Sequence, residues 1–188
     1  MNFSVSFKFA VISDTHGSVK AWGLAKKICK DVNLIVHLGD VLYHGPRNPL
    51  PDGYAPKELA EEINSSDVPV IIIKGNCDAD IDEAMIKWPV SYPYCVLWLD
   101  GKLVFAHHGT FFERYKGLAL DFKADLVLTG HTHISSVICE GKTVFLNPGS
   151  ASLPKGGEPP SLAIVDEKGI SLLSLKGDLL RFEPWRLT

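Results

Sequence analysis

The sequence lacks a run of apolar residues approaching the ~20 needed to cross a bilayer as a helix, so no membrane partner is expected. Its opening stretch, MNFSVSFKFAVISD, carries Lys8 within its apolar portion. It shows neither the basic segment nor the small-residue cleavage site of a secretory signal. Cysteine is scarce: four residues, at positions 29, 77, 95 and 139, are widely spaced and form no C-x-x-C. That pattern argues against a disulfide framework and leads us to expect a reducing cytoplasm. Positive charge is not in excess, because 19 Lys and Arg stand against 22 Asp and Glu, a formal net charge of -3. A stable nucleic-acid partner held by its phosphates is therefore disfavoured. H-E-x-x-H is absent, which argues against a zincin-type metalloprotease. No internal repeat, low-complexity tract or linker divides the chain, so residues 1–188 read as one domain, long enough to bury a substantial core.

What is present is an alternation of strand and helix signals. Phe7 to Ser13 is a short apolar run ending in DTHGS, and Val19 to Lys30 carries Trp22, Ala25, Ile28 and Cys29 at helical spacing. Asn33 to Leu38 reads as a second buried strand, followed by a Gly- and Pro-rich loop from Tyr43 to Ala55. Pro56 then suits the first turn of a helix through Ser65, and Val68 to Lys74 reads as a third strand. Strand, helix, strand, helix, strand is the pattern of a parallel α/β sheet. The second half is richer in strands. Tyr94–Leu99 and Lys102–His107 flank Asp100-Gly101, a hairpin signal, and a helix is expected over Gly117–Lys123. Further strands are expected at 125–129, 135–140, 143–147, 162–166, 170–175 and 179–185. The simplest architecture is two packed sheets with helices outside.

The informative feature is where polar residues fall. Apolar runs end at Asp14-Thr15-His16, Gly39-Asp40, Gly75-Asn76-Cys77-Asp78, His107-His108-Gly109 and Gly130-His131-Thr132-His133. Ligands of open α/β sheets bind beyond the carboxyl ends of the strands, so these turns should converge. Histidine and carboxylate suit Zn, Mn, Fe and similar divalent ions. Seven ligands, Asp14, His16, Asp40, Asn76, His108, His131 and His133, exceed one tetrahedral site and suit two ions if one carboxylate bridges them. Two Asp contribute -2 and two divalent ions +4, leaving a centre near +2 that favours a phosphate anion. Paired metals of this kind activate water and stabilise a phosphoryl transition state. Each motif alone also has a reading as a turn or cap; the argument rests on all five occurring in order, each after an apolar strand.

The order D-x-H, GD, GNxD, HG, GHTH resembles the calcineurin-like metallophosphoesterase superfamily. Within it, FAVISDTHGS, HLGDVLYHGPRNPLPDGYAP, KGNCDADID, TGHTH and FLNPGSASLPKGG are similar to the YfcE-type phosphodiesterases. The resemblance implies an α/β fold, a four-layer αββα sandwich of two mixed β-sheets flanked by helices. It implies one metal held by Asp14, His16, Asp40 and His133 and a second held by Asp40, Asn76, His108 and His131. Mn2+ is the implied metal, with Zn2+, Fe2+, Ni2+ or Co2+ in relatives. The implied activity is hydrolysis of a small phosphate diester, with a metal-bound hydroxide attacking phosphorus in line. A phosphomonoesterase using the same centre and a non-catalytic interaction module of the same fold are the alternatives.

This chain departs from the family pattern in two places. It reads His107-His108-Gly109 where relatives often have HGH, and His108 is the expected ligand because it directly precedes the glycine. Strand alternation then turns His107 to the other face. Cys77 stands where many relatives have a proton-donating His. A thiol is a weak donor, so either activated leaving groups are preferred or another donor exists. Asp78 is one candidate, a turn-stabilising carboxylate its other reading. Arg47, just past Asp40, could pair with substrate phosphate or be a surface residue. Asn76 is expected to touch substrate as well as metal. His37 reads as a satisfied core histidine, His44 as a loop histidine and Asn147-Pro148-Gly149-Ser150 as a turn near the site. The tryptophans and the 43–56 loop make a homo-oligomer, dimer or tetramer, reasonable.

Overall fold

A computed structural model describes residues 7–185; residues 1–6 of the opening stretch lie outside that range. In chain order the elements are β1 (Phe9–Ile12), α1 (Val19–Ile28), β2 (Leu34–His37), α2 (Pro56–Asn64), β3 (Val70–Ile73), α3 (Asp80–Met85), β4 (Val90–Ser91), β5 (Tyr94–Leu99), β6 (Lys102–His107), α4 (Phe112–Asp121), β7 (Leu126–Leu128), β8 (Ser135–Glu140), β9 (Thr143–Pro148), β10 (Ser161–Asp166), β11 (Gly169–Ser174) and β12 (Leu179–Pro184). They build a seven-stranded sheet, ordered β12-β11-β10-β1-β2-β3-β4, and a five-stranded sheet, ordered β5-β6-β7-β9-β8. Both are mixed. β1, β2, β3 and β4 run parallel and β10 to β12 antiparallel. In the smaller sheet β6, β7 and β9 run parallel and the edges antiparallel.

The central strands are apolar on both faces because both faces are covered. Phe9 and Val11 of β1, Leu34 and Val36 of β2, Val104 and Ala106 of β6, and Leu126 and Leu128 of β7 meet in a core between the sheets. The alternate residues Ala10, Ile12 and Ile35 pack outward against Trp22 and Ala25 of α1 and Leu59 and Ile63 of α2. Phe105 and Val127 pack outward against Tyr115 and Ala119 of α4. The result is helices, sheet, sheet, helix: the expected four layers. Each aliphatic side chain buried this way contributes about 1.5–3 kcal/mol. The hairpin turn has φ of 50° at Asp100 and 74° at Gly101, the left-handed pair that a two-residue connection requires.

One expectation needs correction, and two short elements were not expected. The helix expected over Gly117–Lys123 is α4, which begins at Phe112 and ends at Asp121. Phe111 precedes it and supplies no side-chain cap, so the usual start signal is missing. α3 and β4 went unread, because six and two residues are too short for periodicity to show. Among the described residues no helix is long and apolar enough to cross a membrane.

Candidate metal centre

Each candidate residue sits in a loop that leaves the carboxyl end of a strand. β1 runs into Asp14 and His16, β2 into Asp40, β3 into Asn76, β6 into His108, and β7 into His131 and His133. Backbone hydrogen bonds tie the loops together: Asp14 N–H donates to Gly39 O at 3.1 Å, His16 N–H to Asp40 O at 2.9 Å and Gly130 N–H to His108 O at 2.7 Å. Packing is so close that a Cβ added at Gly75 would collide with the Asp40 carboxylate, and one at Gly130 with Ser13 Oγ. Ser18 caps α1 directly after the first loop, accepting from Ala21 N–H at 3.1 Å.

The backbone is also unusual here. Asp14, His16, Asp40, His131 and His133 have φ of 55°, 46°, 54°, 69° and 62°. This left-handed region costs an L-residue about 1–2 kcal/mol. Such strain persists only where the surroundings enforce it, and it concentrates at functional sites.

The side chains converge into three overlapping groups. Asp14, His16 and His133 place ligand atoms within 4.8 Å of one another, and so do Asp14, Asp40 and His108, and His16, Asp40 and Cys77. His133 Nε2 lies 3.3 Å and His16 Nε2 3.7 Å from Asp14 Oδ1. Asp40 reaches toward two histidines: Oδ2 is 3.8 Å from His16 Nε2 and Oδ1 is 3.5 Å from His108 Nε2. Asn76 Oδ1 lies 3.0 Å from His108 Nε2. His131 is more open; its ring is 5.1 Å from that of His108, and it lines the cleft with Asp40 and His133.

The donor set fits a bound cation. His16 Nδ1 faces Tyr43 O at 2.9 Å, His108 Nδ1 faces Leu38 O at 2.6 Å and His133 Nδ1 faces Leu153 O at 2.7 Å. A carbonyl only accepts, so each Nδ1 carries a proton and each ring turns its Nε2 edge inward. Metal-binding histidines are oriented in this way. The Nε2 atoms of His16 and His133 then face each other at 3.1 Å. Buried Asp14 Oδ1 has no hydrogen-bond partner among the described residues. Burial would raise the Asp14 and Asp40 carboxyls, but the neighbouring histidines hold both below the usual carboxylate range. Burial would lower His108, yet the Asp40 and Asp14 carboxylates prevail and push it up to about 9.

Other residues from the sequence fall as follows. His107 is fully buried on the opposite face of β6, against the rings of Tyr115, Phe105 and Phe112. Asp78 accepts from Asp40 N–H at 2.8 Å, Val41 N–H at 2.6 Å and Gly75 N–H at 2.7 Å. Burial pushes its pKa up to about 6 against these donors. Both oxygens are thus committed to backbone amides, which favours the structural reading over a proton donor. Cys77 N–H donates to Asp40 Oδ1 at 2.8 Å, and burial pushes the thiol up to about 12. His37 is satisfied between Thr15 and Gly39, and His44 contacts Tyr43 and Tyr54. Arg47 lines the cleft together with Lys155, a residue sequence reasoning passed over.

The loop after β9 does more than turn. Ser150 Oγ and Ser152 Oγ donate to Asp14 O at 2.8 and 2.9 Å, and Asn147 Nδ2 donates to Gly130 O at 2.8 Å. These bonds fix two ligand-bearing loops. Their acceptors are main-chain carbonyls, so no side-chain pattern announces them.

A sequence model of the calcineurin-like phosphoesterase superfamily domain matches residues 7–169. The chain belongs to this superfamily. Phosphodiesterase YfcE of Escherichia coli strain K12 is 37% identical over 170 residues, which cover 89% of this chain and 92% of that protein. The solved structure of E. coli YfcE, described as a phosphoesterase, superposes with a TM-score of 0.86 at 32% identity, covering 96% of this chain and 100% of that one. Wild-type Vps29 of Entamoeba histolytica, solved with Zn2+, superposes with a TM-score of 0.65 at 17% identity, covering 96% and 100%, which shows a shared fold alone. The chain is therefore a metallophosphoesterase hydrolase, and divalent metal ions are implied by its family.

Proposed function

We propose that the chain is a phosphodiesterase that hydrolyses small phosphate diesters with two divalent ions, Mn2+ foremost and Zn2+, Fe2+, Ni2+ or Co2+ as alternatives. Asp14, His16, Asp40 and His133 would hold one ion, and Asp40, Asn76, His108 and His131 the other. The observation that carries this reading is the Asp40 carboxylate, with one oxygen toward His16 and the other toward His108, lining a cleft of about 700 Å3. When bound, the ions supply an activated water and positive charge for the phosphoryl oxygens.

The chain's own residues do the rest. The Nδ1–carbonyl bonds of His16, His108 and His133 fix ring direction. Asp78 gathers the Gly75 and Asp40 amides and so sets where the bridging carboxylate sits; it is a positioning residue. Arg47 and Lys155, at the rim of the cleft, attract the anionic ester. Asn76, exposed between His108 and the cleft, can donate to a phosphoryl oxygen from its amide. With Asp78 occupied and the Cys77 thiol a poor acid, leaving groups that depart without a proton should react best.

The diester preference is supported by the identity with a phosphodiesterase over most of both chains. The test is to assay metal-free protein with Mn2+, Zn2+, Ni2+ or Mg2+ returned, on matched mono- and diester aryl phosphates. Faster diester turnover is expected. Turnover of neither ester with any metal refutes enzymatic function and leaves the interaction module; faster monoester turnover establishes the monoesterase instead.

A further inference from the structure

Asn76 stands at a junction. On one side is the cleft with Arg47 and Lys155; on the other a groove of about 460 Å3 opens beside His108. Asn76 lines both cavities. The two differ in chemistry. Neither Arg47 nor Lys155 has an ion-pair partner among the described residues. The groove's lysine, Lys74, is already neutralised by Asp80 at 2.7 Å and Glu83 at 2.8 Å. Its walls instead carry Tyr92, Pro93 and Phe111, with Tyr92 72% and Phe111 58% exposed. Large aromatic side chains left in water beside a reactive centre mark a binding surface.

A phosphate diester has two organic arms on one phosphorus, and two unlike cavities meet where that phosphorus would lie. We propose that the groove binds a planar aromatic substituent of the ester, stacked against Tyr92 and Phe111, while the cleft takes the polar arm. This rests on the phosphodiesterase reading above. It narrows the substrate class to asymmetric diesters with one flat aromatic arm, a nucleobase or aryl group. Stacking on aromatic side chains suits such a group because it needs a π-face and no particular hydrogen-bond pattern.

The test is calorimetric titration of the metal-loaded protein with inorganic phosphate, methyl phosphate and phenyl phosphate. Phenyl phosphate should bind about tenfold more tightly than methyl phosphate, a modest share of the stacking range. Tyr92→Ala and Phe111→Ala, made separately, should each cut that preference severalfold, and both together should remove it. Inorganic phosphate should bind all variants alike, since it reaches only the centre. Equal affinity of the two esters in the wild type, or a preference that survives both substitutions, overturns the subsite and leaves the function standing. Failure of every phosphate species to bind overturns the function and the subsite together.

Discussion

Replacing His107 by Leu should stabilise the protein and leave its activity in place. Both ring nitrogens of His107 are buried without a hydrogen-bond partner among the described residues, and burial pushes the ring down to about 4, so it is neutral at physiological pH. An unsatisfied buried donor or acceptor costs about 1–3 kcal/mol, and a neutral imidazole carries one of each. Its contacts with Tyr115, Phe105 and Phe112, at centroid distances of 5.3, 6.0 and 6.1 Å, return part of that cost. Aromatic pairs are worth about 0.5–1.5 kcal/mol. Leucine is of similar volume, keeps apolar contact and has no polar atom to strand. The net gain should be about 1–2 kcal/mol, which for a chain of this size raises Tm by roughly 2–8 °C. Thermal melting of the metal-free and loaded protein measures it, beside turnover of an aryl diester. His108→Ala, by contrast, should abolish turnover. If His107→Leu melts below the wild type, or loses activity as His108→Ala does, then His107 has a polar partner or a catalytic task and the face assignment of β6 is wrong.

Asp78→Asn should lower stability by about 2–3 kcal/mol, because hydrogen bonds to a charged acceptor are worth about 1.5–3 kcal/mol each. Metal affinity should fall about 10- to 100-fold, as when other supports of a metal ligand are removed. The limbs of the pH–rate profile should persist; a variant with wild-type Tm and metal content that loses one limb would mark Asp78 as the proton donor after all. Metal uptake should also depend on pH. His108 lies near 9 and must give up a proton to bind, so affinity should rise about tenfold per pH unit from pH 7 toward 9 and then level. The sign for folding is opposite. A histidine raised above its unfolded value stabilises the metal-free protein fully below about 6.5, and that contribution is lost as pH rises through about 9. Metal titrations and melting curves at stepped pH measure both, and a flat or inverted slope would refute the assignment of that proton.

Much of this was written in the sequence because strand ends and ligands coincide. A buried parallel strand is short and apolar, so a polar Asp14, Asp40 or His131 just past its end stands out, and strand order brings such ends together. Asp100-Gly101 and Pro56 were legible for a similar reason: their backbone preferences are local. The start of α4 was not, since Phe112 is fixed by Tyr115 and Ala119 packing on Phe105 and Val127, not by a capping residue. The clamp from Ser150 and Ser152 onto Asp14 was hidden because a carbonyl oxygen looks the same in every residue. Asp78 showed the converse: its place beside the candidate ligands suggested chemistry, while the three amides it accepts from were not legible in the sequence. Lys155 is an ordinary surface lysine by type, and only the fold of the loop after β9 brings it to the cleft.

The left-handed candidate ligands constrain how this centre can change over evolutionary time. At positions 14, 16, 40, 131 and 133 the loop geometry tolerates Gly or Asn, whose backbones visit that region readily, and penalises Ala, Val or Ile even where space allows. Exchanging Asp for Asn or His for Gly there would silence the centre while the loops kept their course. A descendant that abandoned hydrolysis but kept the scaffold for another use would therefore drift first through those two residues. A Gly at such a position in a related chain would mark a lost ligand.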